Sequence, residues 1–325
     1  VKTRKIINIL TAVLTGVSLA IASVTIHAVE AEPSGYTPVD GLSGSLSSVG
    51  SDTLVYVMSN WVVNFKRLYP KVSFRIEAAG SSTAPPALID GSANFGPMSR
   101  LMKDKEIQAF VDKFGHEPTV FRIALDGLAV FVHKDNPIEG LTLAQLDAIY
   151  SATRQCGHEK DINSWGQLGL TGAWADRVLK AYGRDSLSGT NAFFAKNALC
   201  KGSYKDAVIE RASSGDIVRA IVNNPNGIGY SGIGYKTSDV RILPLTKAAG
   251  QPYVAPSETN IYHNSYPLRR YLYLYVNKAP NEPLPPLERE FIKMALSAGG
   301  QDLVYKDGFV PLSPAIVQAE LTKLD

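Results

Sequence analysis

The hydrophobic period of this chain switches back and forth between two and about 3.6 residues, and that alternation leaves few folds open. Residues 46–49 read as a short strand. Leu54, Met58, Trp61, Val62, Phe65 and Leu68 then recur at helical spacing until Pro70 stops them. Residues 72–76 alternate apolar and polar, as a half-buried strand does. A helix opens at Ala84-Pro85-Pro86, where proline suits a first turn, and Asp90-Gly91 closes it. An amphipathic helix over 103–114 precedes strands at 119–124 and 128–132, the second continuously apolar as if buried on both faces. Helices follow at 141–150, 173–180, 189–199, 217–223 and 288–297, interleaved with strands at 228–231, 240–243 and 271–276. Strands alternating with helices in this manner specify an α/β protein, with sheets expected to be mostly parallel.

A segment of a different kind precedes the first strand. Lys2, Arg4 and Lys5 give it a positive start, residues 6–26 are almost wholly apolar or small, and Val29-Glu30-Ala31 offers a small-residue cleavage site. That is the layout of a secretory signal peptide at 1–31, to be removed on export to the periplasm, rather than of a retained anchor. Residues 32–44, rich in Gly, Ser and Pro, form a flexible lead-in. The remaining 294 residues carry 30 basic and 29 acidic side chains, a net charge of +1, and are enough for two domains. No basic run punctuated by aromatics is present, which excludes nucleic acid as a partner. Domain II is expected at 129–262, inserted into a domain I made of 45–128 plus 263–325, so that two chain crossings form a hinge. In an exported chain the two cysteines, Cys156 and Cys200, are expected to form one disulfide. Its closed loop is worth about 4 kcal/mol in the chain-entropy account.

Three loops share one design. Gly50-Ser51-Asp52-Thr53, Gly80-Ser81-Ser82-Thr83 and Leu187-Ser188-Gly189-Thr190 each follow a strand or turn and open a helix. A helix N-terminus presents unpaired N–H groups and partial positive charge, which suits an anion. For any one loop the plainer reading is an ordinary Ser/Thr cap. Three of them in an α/β chain suggest more, because ligands of these folds bind where strand ends and such loops converge. The third loop also carries Arg184, whose planar fork can take two anion oxygens. The residues alone therefore describe an oxyanion clamp of hydroxyls, backbone amides and one arginine.

Taken in order, Gly50-Ser51-Asp52-Thr53-Leu54, Gly80-Ser81-Ser82-Thr83, Asn94-Phe95-Gly96-Pro97-Met98-Ser99-Arg100, the stretch from Gly183 to Thr190, Gly227-Ile228-Gly229-Tyr230 and Tyr266-Pro267-Leu268-Arg269-Arg270-Tyr271 carry a family likeness. The sequence resembles the periplasmic phosphate-binding proteins of high-affinity phosphate ABC transporters, within the type II periplasmic-binding-protein fold. The resemblance implies a two-domain α/β fold with a hinge and an interdomain cleft. It also implies a monomer without cofactor or metal that captures inorganic phosphate and delivers it to permease subunits of the inner membrane, with no catalysis. It places Thr53, the Leu54 backbone, Ser81, Ser99, Arg184, Ser188, Gly189 and Thr190 around the phosphate. Better-known members carry aspartate where this chain has Ser99. A carboxylate accepts the proton of hydrogen phosphate and repels sulfate, whereas a serine can donate to either. Asp52 is the expected replacement acceptor; Asp185 is the weaker candidate, since it is expected to pair with Arg184. Another oxyanion such as sulfate or molybdate, or a secreted phosphatase, are the competing readings.

Other patterns carry less. Residues 227–232 fit GxGxxG, but the segment after them reads as strand and turn rather than a helix start, against dinucleotide binding. The pattern GxSxG fails around Ser231, because Ile233 holds its last position. The five histidines are scattered without metal-ligand spacing or a place beside the Ser-rich loops, which leaves nucleophilic catalysis without a base. Tyr271, Tyr273 and Tyr275 fall on one strand face and suit packing at the core or hinge.

Overall fold

The computed structural model describes residues 35–324; the expected signal peptide and the first residues of the lead-in lie outside them. The first strand and helix are β1 (Gly44–Val49) and α1 (Val55–Leu68), followed by β2 (Val72–Glu77), α2 (Ala84–Ile89), β3 (Gly96–Met98) and α3 (Asp104–Phe114). The long β4 (Thr119–His133) leads to β5 (Leu141–Thr142), α4 (Leu143–Tyr150), β6 (Lys180–Arg184) and α5 (Gly189–Asn197). Then come β7 (Ile209–Arg211), α6 (Ser214–Val222), β8 (Gly227–Gly232), β9 (Val240–Leu243), β10 (Leu245–Thr246) and α7 (Glu258–Tyr262). The chain ends with β11 (Arg269–Val276), α8 (Pro286–Leu296), α9 (Ala298–Lys306) and α10 (Pro314–Leu321).

The period-3.6 pattern does its work in α1, which buries Val57, Met58, Trp61, Val62 and Phe65. The indole of Trp61 donates to the Gly300 carbonyl at 2.9 Å, tying α1 to α9. In α4, Thr142 and Gln145 satisfy one another's backbone amides as a capping box, at 3.0 and 2.9 Å. One apolar cluster runs through both ends of the molecule, from Trp61, Phe65 and Phe291 to Tyr150, Trp165 and Phe194.

The architecture turns on β4. In a seven-stranded sheet of order β3-β11-β4-β8-β6-β7, with β9 also on β4, this one strand holds two sets of neighbours. Residues 119–127 pair with β11, whereas 128–133 pair with β8 and β9. The two strands expected at 119–124 and 128–132 are thus one, because Asp126 and Gly127 continue the ladder through partners in β11. The expectation of mostly parallel sheets also needs correction. β1 and β2, β5 and β10, and β6 with its two neighbours are parallel, but every pairing of β4 and β11 is antiparallel.

No helix forms over 173–180. Residues 172–174 make one 3-10 turn, and the backbone around it pairs with an upstream segment: Trp165 N–H with Arg177 O at 3.1 Å, Gly166 with Ala175 at 3.1 Å and Leu179 with Asn163 at 2.8 Å. Those bonds consume the amides and carbonyls that a helix would need. Cys156 and Cys200 are joined by a disulfide with Cα atoms 5.4 Å apart, as the sequence suggested. The GxGxxG stretch is strand β8 followed by a 3-10 turn at Ile233–Tyr235. Among the described residues no helix is long and apolar enough to cross a membrane.

Candidate functional site

The three Ser/Thr loops meet at the strand ends, each feeding a helix. Ser51 N–H donates to Pro97 O at 2.7 Å and Gly80 N–H to Gly50 O at 2.8 Å, which lays the first loop against the second and against β3. A 3-10 turn at Asp52–Leu54 then runs into α1, and another at Ser81–Thr83 into α2. The third loop is shaped by Asp185, whose Oδ1 accepts from the amides of Leu187 and Ser188, both at 3.1 Å. Ser188 caps α5, its Oγ accepting from Thr190 and Asn191 at 3.2 and 3.3 Å. Ser82 N–H donates to Leu187 O at 3.0 Å and so bridges the second loop to the third. Gly80, at φ +117°, adopts a conformation open to glycine, and a Cβ there would lie 2.7 Å from that same Leu187 carbonyl oxygen.

At the centre four hydroxyls form a buried cluster. Thr53 Oγ1 lies 2.8 Å from Thr190 Oγ1, Ser81 Oγ 3.2 Å from Ser99 Oγ, and Ser99 Oγ 3.4 Å from Thr190 Oγ1. Ser81 Oγ also accepts the backbone N–H of Ser99 at 3.0 Å. Gly189 sits against this cluster so closely that a Cβ would come within 2.3 Å of Ser81 Oγ and 2.7 Å of Ser99 Oγ. Thr53, Ser81, Ser99, Gly189 and Thr190, drawn from four separate stretches of sequence, are therefore brought together. Leu54 contributes differently. Its side chain is buried in the core, and its N–H points back to Ser51 O at 3.3 Å within the 3-10 turn.

Arg184, at the end of β6, is 1% exposed. Its Nη1 donates to Ser214 Oγ at 2.8 Å and lies 3.1 Å from Asp52 Oδ2, and its Nη2 donates to Ala212 O at 2.8 Å. Its Nε is buried with no protein partner, a donor aimed at nothing else in the described residues. Asp52 Oδ2 also accepts the Ser214 N–H at 2.8 Å, so the carboxylate sits between the N-terminus of α6 and the guanidinium. Tyr235 donates to the Asp52 backbone carbonyl at 2.8 Å, and burial, followed by the nearby Asp52 charge, pushes its phenol pKa well up. The expected pairing of Asp185 with Arg184 does not occur. Asp185 spends its acceptor on the loop's own amides, a local bond that forms at lower entropic cost than a reach back to β6.

Sequence reasoning missed a second buried arginine. Arg270, in β11, stands opposite Asp126 of β4 in the antiparallel register. Asp126 Oδ2 accepts from Arg270 Nε at 2.8 Å and lies 2.7 Å from Nη2, while Oδ1 accepts the Ile233 N–H at 3.0 Å. Arg270 then reaches the hydroxyl cluster, donating through Nη2 to Thr190 Oγ1 and through Nη1 to Ser99 O, each at 3.0 Å. Burial lowers the pKa of its guanidinium, and the facing Asp126 opposes that. The available signal was Asp126 itself, a carboxylate flanked by the buried runs 123–125 and 128–132, which demands a buried cation. Ser214, the Arg184 partner, had no comparable signal. A groove of about 640 Å³ opens beside the cluster, lined among others by Ser99, Lys103, Phe193, Lys196, Arg270 and Tyr271.

Residues 35–298 match the family model of the PBP superfamily domain. The chain is 50% identical over 323 residues, 99% of both sequences, to the phosphate-binding protein PstS of Pseudomonas aeruginosa. It is 29% identical over 285 residues to the phosphate-binding protein PstS of Staphylococcus saprophyticus, covering 87% of this chain and 85% of the relative. Among solved structures, a putative phosphate ABC transporter substrate-binding protein with bound phosphate from Clostridium perfringens superposes with a TM-score of 0.70 at 27% identity, over 83% of this chain and all of that one. An ABC-type phosphate transport receptor from Vibrio cholerae, 23% identical, shares the fold at a TM-score of 0.62, over 82% of this chain and 100% of its own.

Proposed function

The chain belongs to the PBP superfamily and, through a relative half identical to it along nearly its whole length, to the PstS phosphate-binding proteins; from that premise we propose that it captures inorganic phosphate outside the cytoplasmic membrane and hands it to an ABC permease. Residues 1–31 direct it to the periplasm and are removed there, and the mature chain acts as a monomer. The observation that carries the reading is the convergence of Thr53, Ser81, Ser99 and Thr190 hydroxyls around Gly189, with Asp52, next to Thr53 in sequence, paired to the buried Arg184, whose Nε has no protein partner.

Phosphate enters between domain I (45–128 plus 263–325) and domain II (129–262), and the two close over it about the crossings in β4 and after α7. The four hydroxyls, Ser188, the Gly189 amide and the Arg184 guanidinium supply donors to the phosphate oxygens, and the Leu54 amide joins them by giving up its 3.3 Å bond to Ser51 O. In binding, the direct hydroxyl–hydroxyl contacts are exchanged for hydroxyl–phosphate contacts of charge-assisted strength. Asp52 takes the place of the carboxylate that position 99 lacks and accepts the proton of hydrogen phosphate. Calorimetric titration of phosphate-stripped protein with phosphate, arsenate and sulfate tests this: phosphate and arsenate are expected to bind and sulfate to bind more weakly. No heat with phosphate would overturn the reading. A binding protein for another oxyanion is favoured by one feature, the serine at position 99, and tighter binding of sulfate than phosphate would establish it.

A further inference from the structure

Arg270 is more than the counter-ion of Asp126. We propose that it is a positioning residue of the anion site, which sets the Thr190 hydroxyl as a donor and joins the two sides of the cleft; this rests on the oxyanion reading above. The Asp126 carboxylate holds the guanidinium through Nε and Nη2 and is itself fixed by the Ile233 amide. The pair faces across one register step of β4 and β11, the strand where the chain leaves one half of the sheet and the strand on which it returns. From there Nη1 holds the Ser99 carbonyl, on the segment after β3, and Nη2 holds the Thr190 hydroxyl, on α5. One rigid fork thus spans two segments that must approach each other for the hydroxyl cluster to form.

The chemical consequence concerns proton direction. A hydroxyl has one proton and two lone pairs. Thr190 Oγ1 already accepts from a cation, so polarisation makes it a stronger donor and a poorer acceptor. Ser81 Oγ accepts the Ser99 N–H and is likewise turned toward donation. Two of the hydroxyls in the cluster are therefore biased to offer protons to an anion. Arg270 strengthens this equally for any tetrahedral oxyanion, because donation does not ask whether the anion is protonated. Its contribution is to affinity, and the choice between phosphate and sulfate lies with an acceptor elsewhere.

The test uses the phosphate-stripped full chain, titrated calorimetrically with phosphate and with sulfate. In R270M both affinities should fall by a similar factor, on the order of 100-fold, as when one partner of a buried hydrogen-bonded charge pair is lost. The phosphate-to-sulfate ratio should move by less than about threefold. Because R270M leaves Asp126 buried without its cation, D126N/R270M is made alongside it and should melt cooperatively while binding as poorly. R270K keeps the charge but lacks the fork and should recover only part of the affinity. Phosphate binding by the double variant within about threefold of the unsubstituted chain overturns the proposal, as does a loss confined to one anion. If the double variant does not melt cooperatively, R270K decides: unchanged affinity there overturns it. Absence of phosphate binding in the unsubstituted chain would sink the phosphate reading itself, a distinct outcome.

Discussion

Asp52→Asn tests the proposed acceptor of this site separately from its donors. The side chain keeps its shape but exchanges one oxygen for an amide nitrogen and loses its charge. In the structure Asp52 Oδ2 lies 3.1 Å from Arg184 Nη1 and 2.8 Å from the Ser214 nitrogen. An asparagine oriented by those two donors presents its carbonyl to them and turns its NH2 to the other side. If that other side accepts the phosphate proton, hydrogen phosphate then meets a donor where it needs an acceptor. Leaving a buried donor unsatisfied costs about 1–3 kcal/mol. Sulfate carries no proton and gains from removal of a nearby negative charge. The phosphate-to-sulfate affinity ratio should therefore fall by about 10- to 100-fold, since each 1.4 kcal/mol is tenfold. Calorimetry with both anions at one pH and one salt concentration reads the ratio directly, and a melt of the unliganded variant registers any general damage. A ratio that stays within about threefold of the original refutes the acceptor role, even if both affinities decline together.

Three further outcomes are expected. Gly189→Ala should abolish phosphate binding in calorimetry, because its Cβ would stand 2.3 Å from Ser81 Oγ, while circular dichroism keeps its α/β signature. Reducing the Cys156–Cys200 bond should lower stability to denaturant by up to about 4 kcal/mol, read as an earlier midpoint with dithiothreitol than without. Asp307 caps the C-terminal end of α9 with its pKa raised by burial, opposed by the Asn60 amide, which donates to it. A carboxyl with a raised folded-state pKa contributes stability below its unfolded pKa and loses it as pH rises through the folded one. Asp307→Asn should therefore raise the melting temperature at neutral pH, and the gain should vanish at pH values below the ordinary carboxylate range.

Much of this architecture could be read from hydrophobic period, and the misreadings have local causes. The face of α1 and the buried run of β4 are written directly in residues 54–68 and 128–132. Where the chain is organised by pairing with a distant segment, the period is uninformative. Residues 163–179 fold on themselves through scattered backbone bonds, and β6 is short, Gly-containing and flanked on both sides by parallel neighbours, so no alternation marks it. The convergence of the hydroxyl-bearing loops was legible because Ser, Gly and Thr at helix starts have a physical meaning wherever they occur. The second arginine was not, because Asp126 and Arg270 are 144 residues apart and meet only through the register of β4 and β11.

That register explains the electrostatic character of the site. Arg270, which reaches the hydroxyls, is matched by Asp126, and the buried Arg184 is matched by Asp52, the neighbour of Thr53 in sequence. Within these two pairs the charges cancel, and the charge of residues 32–325 is likewise close to zero. The groove beside the cluster carries Lys103, Lys196 and Arg269 on its wall, which favour the approach of any anion, so discrimination is left to short-range contacts. Neutral donors such as Thr53, Ser81 and the Gly189 amide do not repel a competitor, but they do count its acceptor oxygens and fix their directions. The Arg270–Asp126 pair holds Thr190 Oγ1 and the Ser99 carbonyl in place, and under the proposed function the carboxylate of Asp52 is the group that tells a ligand proton from its absence. Burying both pairs carries a desolvation cost that apolar residues of the same volume would avoid. Apolar substitutes for Arg270 and Asp126 would leave the Thr190 hydroxyl and the Ser99 carbonyl without their shared donor, and the cluster would then hold any tetrahedral anion more loosely.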